Sequence, residues 1–176
     1  METALNAHWD AGTTLGDRVL VVGAGIVGLL TAYLARRIAG TEVAILDVNP
    51  ARARLAEALG IRFVSPSDAP TDNRIVFHAS ATSAGLEAAL NACAFEGMVV
   101  EMSWYGSEPV TVRLGGTFHS RRLQIVSSQV GHVAPSHRGT LKHADRLARA
   151  ITPHYDARLD ALVSEEVQFD DLPSVL

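Results

Sequence analysis

Short apolar runs alternate with segments of helical periodicity along most of the chain. Residues 19–22 form the first unbroken apolar run, which is typical of a strand buried on both faces of a parallel sheet. Apolar residues then recur every three or four positions from Ile26 to Ile38, so a helix follows this strand. The same alternation continues and predicts six strands, at residues 19–22, 43–46, 61–64, 74–78, 98–102 and 123–127.

Helical patterns separate most of these strands, and several begin or end at typical capping residues. Asn49 and Pro50 favour a helix start after the second strand, and Gly60 favours its end. Thr82 or Ser83 is expected to cap the helix after the fourth strand. The helical patterns cover residues 4–9, 26–38, 51–59, 82–93, 142–151 and, as the beginning of a further helix, 169–176.

Strands that alternate with helices predict an α/β fold. We expect a doubly wound parallel six-stranded sheet (Rossmann fold) with the strand order 3-2-1-4-5-6. No internal repeat, low-complexity segment or linker divides the chain, which is therefore interpreted as a single domain over residues 1–176. Ligands of such a sheet bind beyond the carboxyl ends of the strands, where the strand order reverses.

Gly23, Gly25 and Gly28 give the spacing G-x-G-x-x-G where the first strand meets its helix. The first glycine allows a tight turn, the second lets a pyrophosphate approach the backbone, and the third lets helix and strand pack closely. Asp47 ends the second strand, nineteen positions beyond Gly28, where a ribose 2′-hydroxyl needs an acceptor. The alternative is an accidental glycine-rich turn. The combined spacing favours a dinucleotide site, and the acidic Asp47 favours NAD over NADP.

Composition excludes several other classes of function. A net charge of −4 and a pI near 5.9 give no electrostatic case for nucleic acid or an anionic membrane as partner. The lone Cys93 excludes an intrachain disulfide framework and is interpreted as a core residue at the end of a helical stripe. The chain has neither a run of ~20 apolar residues nor the plan of a signal peptide. We therefore expect a cytoplasmic protein.

The histidines do not indicate a metal site. His132, His137 and His143 are the closest group, but their spacing matches no tight ligand pattern and no cysteine or paired carboxylate joins them. His78 lies at a strand end among apolar residues and is interpreted as a hydrogen-bonded structural histidine. The absence of G-x-S-x-G argues against a hydrolase. No metal ligand and no catalytic residue is predicted in this chain.

The order of these motifs resembles the cofactor-binding, C-terminal domain of the medium-chain dehydrogenase/reductase superfamily, in its zinc-type alcohol dehydrogenase branch. The resemblance covers residues 3–172 and is strongest over 14–60. The resembling stretches are Thr3-Ala-Leu-Asn6, Thr14-Leu-Gly-Asp-Arg-Val-Leu-Val-Val-Gly-Ala-Gly-Ile-Val-Gly28, Asp47-Val-Asn-Pro-x-Arg52, Phe77-His-Ala-Ser80 and Val99-Val-Glu-Met-Ser-Trp104.

The resemblance implies a cofactor site in three parts. The glycine loop and the next two amides would hold the pyrophosphate, the end of the second strand would hold the adenine ribose, and the ends of strands four to six would line the nicotinamide. The family often has glycine at the position of Ala81 and a smaller pair at Ser103 and Trp104. The implied residues are Gly23, Gly25, Ile26, Val27, Gly28, Asp47, Val48, Asn49, Arg52, Ala79, Ser80, Met102, Ser103, Trp104, Val126 and Ser127.

The resemblance also implies a function. Full-length members carry an N-terminal domain that holds a catalytic zinc, so this chain is interpreted as a cofactor domain without that zinc domain and without the last C-terminal strand. It would hold NAD for hydride transfer with a small alcohol or carbonyl substrate, bind nucleotide without catalysis by itself, and form a homodimer. Two alternatives remain open from the sequence, an FAD-dependent oxidase domain and a non-catalytic NAD-sensing module.

Overall fold

A computed structural model, which describes residues 1–171, contains a six-stranded sheet in which all neighbouring strands are parallel. The strand order is β3-β2-β1-β4-β5-β6, so the predicted fold class and strand order are confirmed. The strands are β1 (Arg18–Val22), β2 (Glu42–Leu46), β3 (Arg62–Val64), β4 (Asn73–His78), β5 (Cys93–Glu101) and β6 (Gln124–Ser127).

Five α-helices accompany the sheet in the described part of the chain. They are α1 (Glu2–Ala11), α2 (Ile26–Arg36), α3 (Ala53–Ala58), α4 (Ser83–Ala92) and α5 (His143–Ile151). The cap predicted at Thr82 is confirmed, because Thr82 Oγ1 accepts from the Gly85 amide at 3.0 Å. Asn49 Oδ1 accepts from the Ala51 amide at 3.0 Å, but it caps a 3₁₀ turn over Pro50–Arg52 that leads into α3, which begins two residues later than predicted. The helix predicted to begin near Phe169 is a short 3₁₀ turn over Phe169–Asp171, and its remainder lies outside the described residues.

The sheet separates two apolar clusters. Because side chains alternate along a strand, Val19 and Val21 of β1 face one cluster whereas Leu20 and Val22 face the other. The helices α1, α2 and α3 cover the first cluster, and α4 covers the second. With both faces covered, the carboxyl ends of the strands are left as the place where a ligand can reach the sheet.

The start of β5 differs from the sequence-based prediction. The strand begins at Cys93 instead of near Gly97, directly after α4. The side-chain Nδ2 of Asn73 donates to the carbonyl of Ala92 at 2.8 Å and thereby holds the last residue of α4 next to β4. Cys93 then pairs with Asn73, and the register shifts before Ile75. The predicted burial of Cys93 is confirmed, although it opens a strand and does not end a helix.

Candidate functional site

The glycine loop connects β1 to α2, and two of its glycines are required by packing. Gly23 has a φ of +108°, and a Cβ there would lie 2.9 Å from the backbone of Ala79 and Ser80. A Cβ on Gly28 would overlap the carbonyl oxygen of Gly23. These two glycines therefore let α2 and the end of β4 approach β1, as their spacing predicts.

Gly25 differs from its two neighbours in the motif. It has a φ of −76°, and a Cβ there would meet no atom within 4 Å, so its open side faces free space. Gly25 is also the N-cap residue of α2, so no side chain caps this helix. Ile26 and Val27, in the first turn of α2, are exposed. The first amides of α2, a helix of eleven residues, therefore point into the open space beside Gly25. This space, which we call the cradle, suits a phosphate group.

Asp47 lies beside this cradle at the carboxyl end of β2. Its Oδ2 accepts from the Ala24 amide at 2.7 Å, and its Oδ1 accepts from the Asn49 amide at 2.8 Å. The carboxylate is thus fixed between the glycine loop and the next turn. Each carboxylate oxygen has a second lone pair, so Asp47 keeps acceptor capacity for a ligand hydroxyl. Arg52 follows in the same turn and lines the same crevice.

A crevice of about 530 Å³ lies between the ends of β1, β2 and β4 and contains half of the predicted site. Sequence reasoning did not find the wall formed by Pro66 and the start of α4, because neither carries a recognisable motif. The predicted residues on the crevice wall are Gly23, Gly25, Asp47, Val48, Asn49, Arg52, Ala79 and Ser80.

The residues predicted beyond β5 and β6 do not line this crevice. Met102 is half-buried and lies 3.9 Å from the hydroxyl of Thr31, whereas the side chain of Trp104 is 86% exposed. Ser127 lines a separate groove next to α1, and Val126 precedes it in β6. The hydroxyl of Ser103 accepts from the Ala81 amide at 3.1 Å, near the end of β4. The nicotinamide half of the predicted site stays a prediction.

A polar network lies at the ends of β4 and β5. His78 is fully buried, and its Nδ1 lies 2.8 Å from Glu101 Oε2, while its Nε2 lies 2.8 Å from the hydroxyl of Ser80. Tyr105 donates to the same Glu101 oxygen at 3.0 Å. Sequence reasoning identified His78 as hydrogen-bonded but missed Glu101, which is its partner in the parallel register of the two strands.

The charges of this network follow from its contacts. Burial acts to raise the pKa of Glu101, but the hydrogen bond and charge interaction with His78 and the Ser103 amide outweigh it, so the pKa lies below its usual value. Burial and the negative charge of Glu101 raise the pKa of Tyr105 to about 12. Glu101 is therefore an ionised acceptor at neutral pH, and Tyr105 a protonated donor.

Among residues 1–171, no group of three or more His, Cys, Asp or Glu side chains is placed to hold a metal ion. His137 stacks on Trp9 with ring centroids 4.2 Å apart, and His143 Nε2 bonds to the Gly131 carbonyl at 3.0 Å. These two histidines therefore pack against other groups. In the same part of the chain, no helix has the length and apolar character needed to cross a bilayer.

Comparison with known protein families gives one match that covers more than half of the chain. Residues 11–102, from the end of α1 to just beyond β5, match the alanine dehydrogenase/PNT C-terminal domain. The chain belongs to this family. The matched region of the alanine dehydrogenase/PNT C-terminal domain contains the glycine loop, Asp47 and the pair of His78 and Glu101.

Individual relatives are dehydrogenases. L-threonine 3-dehydrogenase of Sinorhizobium medicae is 36% identical over 94 residues, which are 51% of this chain and 27% of that protein. A structure from Sinorhizobium meliloti 1021, described as a zinc-binding dehydrogenase bound to NADP, superposes with a TM-score of 0.77 at 22% identity. It is matched over 99% of this chain and 53% of that chain. The structure of 2R,3R-butanediol dehydrogenase from Bacillus subtilis also gives a TM-score of 0.77, at 19% identity, over 97% of this chain and 49% of that one.

These comparisons confirm the resemblance to the cofactor-binding domain of dehydrogenases. The zinc-type branch stays a prediction. The structural matches, at such low identity, show the shared fold. The chain spans about a quarter of the length of the curated relatives that it matches and about half of the length of the solved chains.

Proposed function

We propose that this chain is the NAD-binding domain of a zinc-type alcohol dehydrogenase-like oxidoreductase. The observation that carries the proposal is the open cradle at Gly25, where α2 begins without a side-chain cap and Gly25 shares the crevice wall with Asp47. An anion-binding helix terminus next to a fixed hydroxyl acceptor suits a pyrophosphate that is joined to a ribose.

The cradle indicates how a dinucleotide would be held. The first turn of α2 would hold the pyrophosphate, and Asp47 at the end of β2 would accept from the adenine ribose. The second nucleoside would then be held on the other side of the glycine loop, by residues at the ends of β4 and β5. Ala79 and Ser80 are the residues of the crevice wall on that side. Met102, Ser103, Trp104, Val126 and Ser127 belong to the nicotinamide end of this proposal.

The choice of NAD over NADP rests on charge. The carboxylate of Asp47 is fixed by the amides of Ala24 and Asn49. If it accepts from the ribose 2′-hydroxyl, a 2′-phosphate would bring a second anion next to it, and the two would repel each other. Arg52 lines the same crevice and acts in the opposite direction. Among the solved relatives, the S. meliloti structure is bound to NADP, whereas an alcohol dehydrogenase from Escherichia coli CFT073 is complexed with NADH.

In the complete enzyme, the bound nicotinamide supplies hydride exchange with an alcohol or carbonyl substrate. This domain binds and orients the dinucleotide, and a separate domain holds the zinc and the substrate. The lengths of the relatives support this division, since the solved dehydrogenase chains are about twice as long as the part that they share with this one. We also propose that the enzyme is a cytoplasmic homodimer that acts on a small molecule.

Titration calorimetry with NAD, NADP and FAD tests the proposal. We expect saturable NAD binding that Asp47→Asn weakens about tenfold or more, because a hydrogen bond to a charged group contributes about 1.5–3 kcal/mol. Glu57→Gln removes one charge from an exposed position on α3 and is the matched control, with unchanged affinity. No NAD binding, or equal loss in both variants, would overturn the proposal. Preferential FAD binding would favour the flavin alternative.

A further inference from the structure

The helix α5 is oriented opposite to a usual amphipathic surface helix. Such a helix turns its apolar stripe to the core and its charged side chains to solvent. In α5 the two buried residues are Arg146 and Ala150, each of which is 2% exposed. Leu147 and Ile151 are 48% and 47% exposed. The largest apolar side chains of this helix therefore lie on its open side.

The buried Arg146 fixes this orientation. Its guanidinium donates to the carboxylate of Glu2 at 2.8 Å, to Asn6 Oδ1 at 2.7 Å and to the carbonyl of His132 at 3.0 Å. A rotation of α5 that buried Leu147 would break all of these hydrogen bonds and leave the buried Asn6 without this donor, which is costly. The exposed apolar side of α5 is thus built into the fold.

The exposed apolar side chains of α5 recur with the spacing i, i+3, i+4, i+7. Two exposed alanines lie between the larger side chains, and Tyr155, which is 88% exposed, follows in the 3₁₀ turn after the helix. Contiguous exposed apolar residues mark a surface that meets another molecule, whereas single ones need no explanation. We define the α5 stripe as the exposed residues Ala144, Leu147, Ala148 and Ile151.

The order of small and large side chains makes the α5 stripe complementary to itself. Its residues follow one another as small, large, small and large. Consider a second copy of α5 that runs antiparallel, with a two-fold axis between residues 147 and 148. Leu147 of one copy then lies opposite Ala148 of the other, and Ile151 lies opposite Ala144. Each large side chain meets a small one, which lets the two helices pack closely.

Two charges beside the α5 stripe have the same symmetry. Asp145 and Arg149 are exposed and one helical turn apart, so they lie along the same edge of α5. The antiparallel arrangement takes Asp145 of each copy towards Arg149 of the other. A parallel arrangement would instead place each charge next to its like and leucine next to leucine. The charges therefore favour an antiparallel second copy as the partner of the stripe.

We propose that α5 pairs antiparallel with α5 of a second copy of this chain and forms the interface of a homodimer. The inference deepens the proposed function and rests on it for the homodimer. The nucleotide crevice is separate, because it lies between the ends of β1, β2 and β4. One helix from each copy supplies fewer residues than the roughly 20–30 a side of a stable interface. The dimer is therefore weak and depends on protein concentration.

Sedimentation equilibrium of the 176-residue chain tests the inference. We expect a reversible monomer–dimer equilibrium with a dissociation constant of about 1–100 µM, because the interface is small. Leu147→Glu places a carboxylate against an alanine of the second copy and should weaken dimerisation at least about tenfold. Leu15→Glu makes the same substitution at another exposed leucine, outside α5, and should leave dimerisation unchanged.

A charge swap between two variants makes the test independent of folding. Asp145→Lys and Arg149→Glu each bring like charges together in their own dimers, so each variant alone should dimerise at least about threefold more weakly. An equal mixture restores both ion pairs in a heterodimer, which should form with the affinity of the wild type. A variant that has lost its fold cannot be rescued in this way.

A wild type that stays monomeric overturns the inference and leaves the α5 stripe to another domain of the longer enzyme. A dimer that Leu147→Glu does not weaken, or that the mixed variants do not restore, overturns the antiparallel α5 interface. Calorimetry with NAD on the same proteins separates the two proposals. NAD binding without dimerisation leaves the nucleotide role intact, whereas dimerisation through α5 without NAD binding overturns that role and supports the interface.

Discussion

Gly28 packs against the carbonyl oxygen of Gly23 so closely that no Cβ atom fits between them. This contact joins the first turn of α2 to the end of β1 and determines where the amides of the helix point. Gly25, between them in the sequence, has open space in the direction of its missing side chain. The motif therefore combines two glycines that pack with one that leaves room.

The difference predicts opposite outcomes for two alanine substitutions. Gly28→Ala should lower the free energy of unfolding by about 1–3 kcal/mol, because α2 must move away from β1. Gly25→Ala should change it by less than about 1 kcal/mol but should weaken NAD binding, because the methyl fills the cradle. Urea unfolding and calorimetry of both variants check this. Equal destabilisation by the two substitutions would contradict the division of roles.

A second prediction concerns His8 in α1, which is buried against Phe77. Its Nε2 lies 2.9 Å from the Thr31 carbonyl, and its Nδ1 lies 3.0 Å from the hydroxyl of Thr13. Burial lowers the pKa of His8 from 6.5 to about 4. The unfolded chain therefore binds this proton more tightly, and the stability from a neutral His8 is fully present above pH 6.5 and lost as pH falls towards 4.

The loss attributable to His8 should reach about 3 kcal/mol at pH 4. Urea unfolding at pH 7.5, 5.5 and 4.5 measures it, and His8→Gln should reduce the pH dependence in this range. His119→Gln, at an exposed position, should leave the dependence unchanged. If the His8 and His119 variants lose stability in parallel with the wild type, the buried histidine does not control acid sensitivity.

A third prediction concerns Arg146 of α5, whose side chain is 2% exposed. Its guanidinium donates to Glu2 at 2.8 Å, to Asn6 at 2.7 Å and to the carbonyl of His132 at 3.0 Å. It thus joins α1, α5 and the loop between β6 and α5. Removing one partner of a buried ion pair leaves the other polar groups without partners, which costs about 3–5 kcal/mol.

Arg146→Met should therefore destabilise the domain by about this amount. Arg149→Met, on the exposed side of the same helix, should cost less than about 1 kcal/mol. Thermal unfolding of the two variants gives the comparison. A small effect at both positions would show that the buried guanidinium is not needed to attach α5.

The features that could be predicted from the sequence are local or follow from the handedness of βαβ units. The glycine spacing, the acidic end of β2 and the caps at Asn49 and Thr82 all act within a few residues. The strand order follows because parallel crossovers are right-handed and doubly wound sheets have few arrangements. The predicted residues that lie together in the crevice accordingly come from the glycine loop and from the ends of β2 and β4.

The features that could not be predicted depend on contacts between distant residues. Glu101 meets His78 because the two strands pair in one register, which no short motif reports. The early start of β5 depends on the hydrogen bond from Asn73 to Ala92, nineteen positions away. Arg146 reaches Glu2 across most of the chain. Each of these contacts depends on the tertiary packing of segments that are far apart in the sequence.

Backbone amide NMR during titration with NAD tests the central claim most directly. If the dinucleotide lies in the crevice with its pyrophosphate on α2, the amide resonances of Gly25, Ile26 and Val27 shift most, together with those around Asp47. Amides at the opposite end of the sheet, such as that of Arg18, stay in place. No shifts at saturating NAD, or the largest shifts away from the glycine loop, would contradict this account.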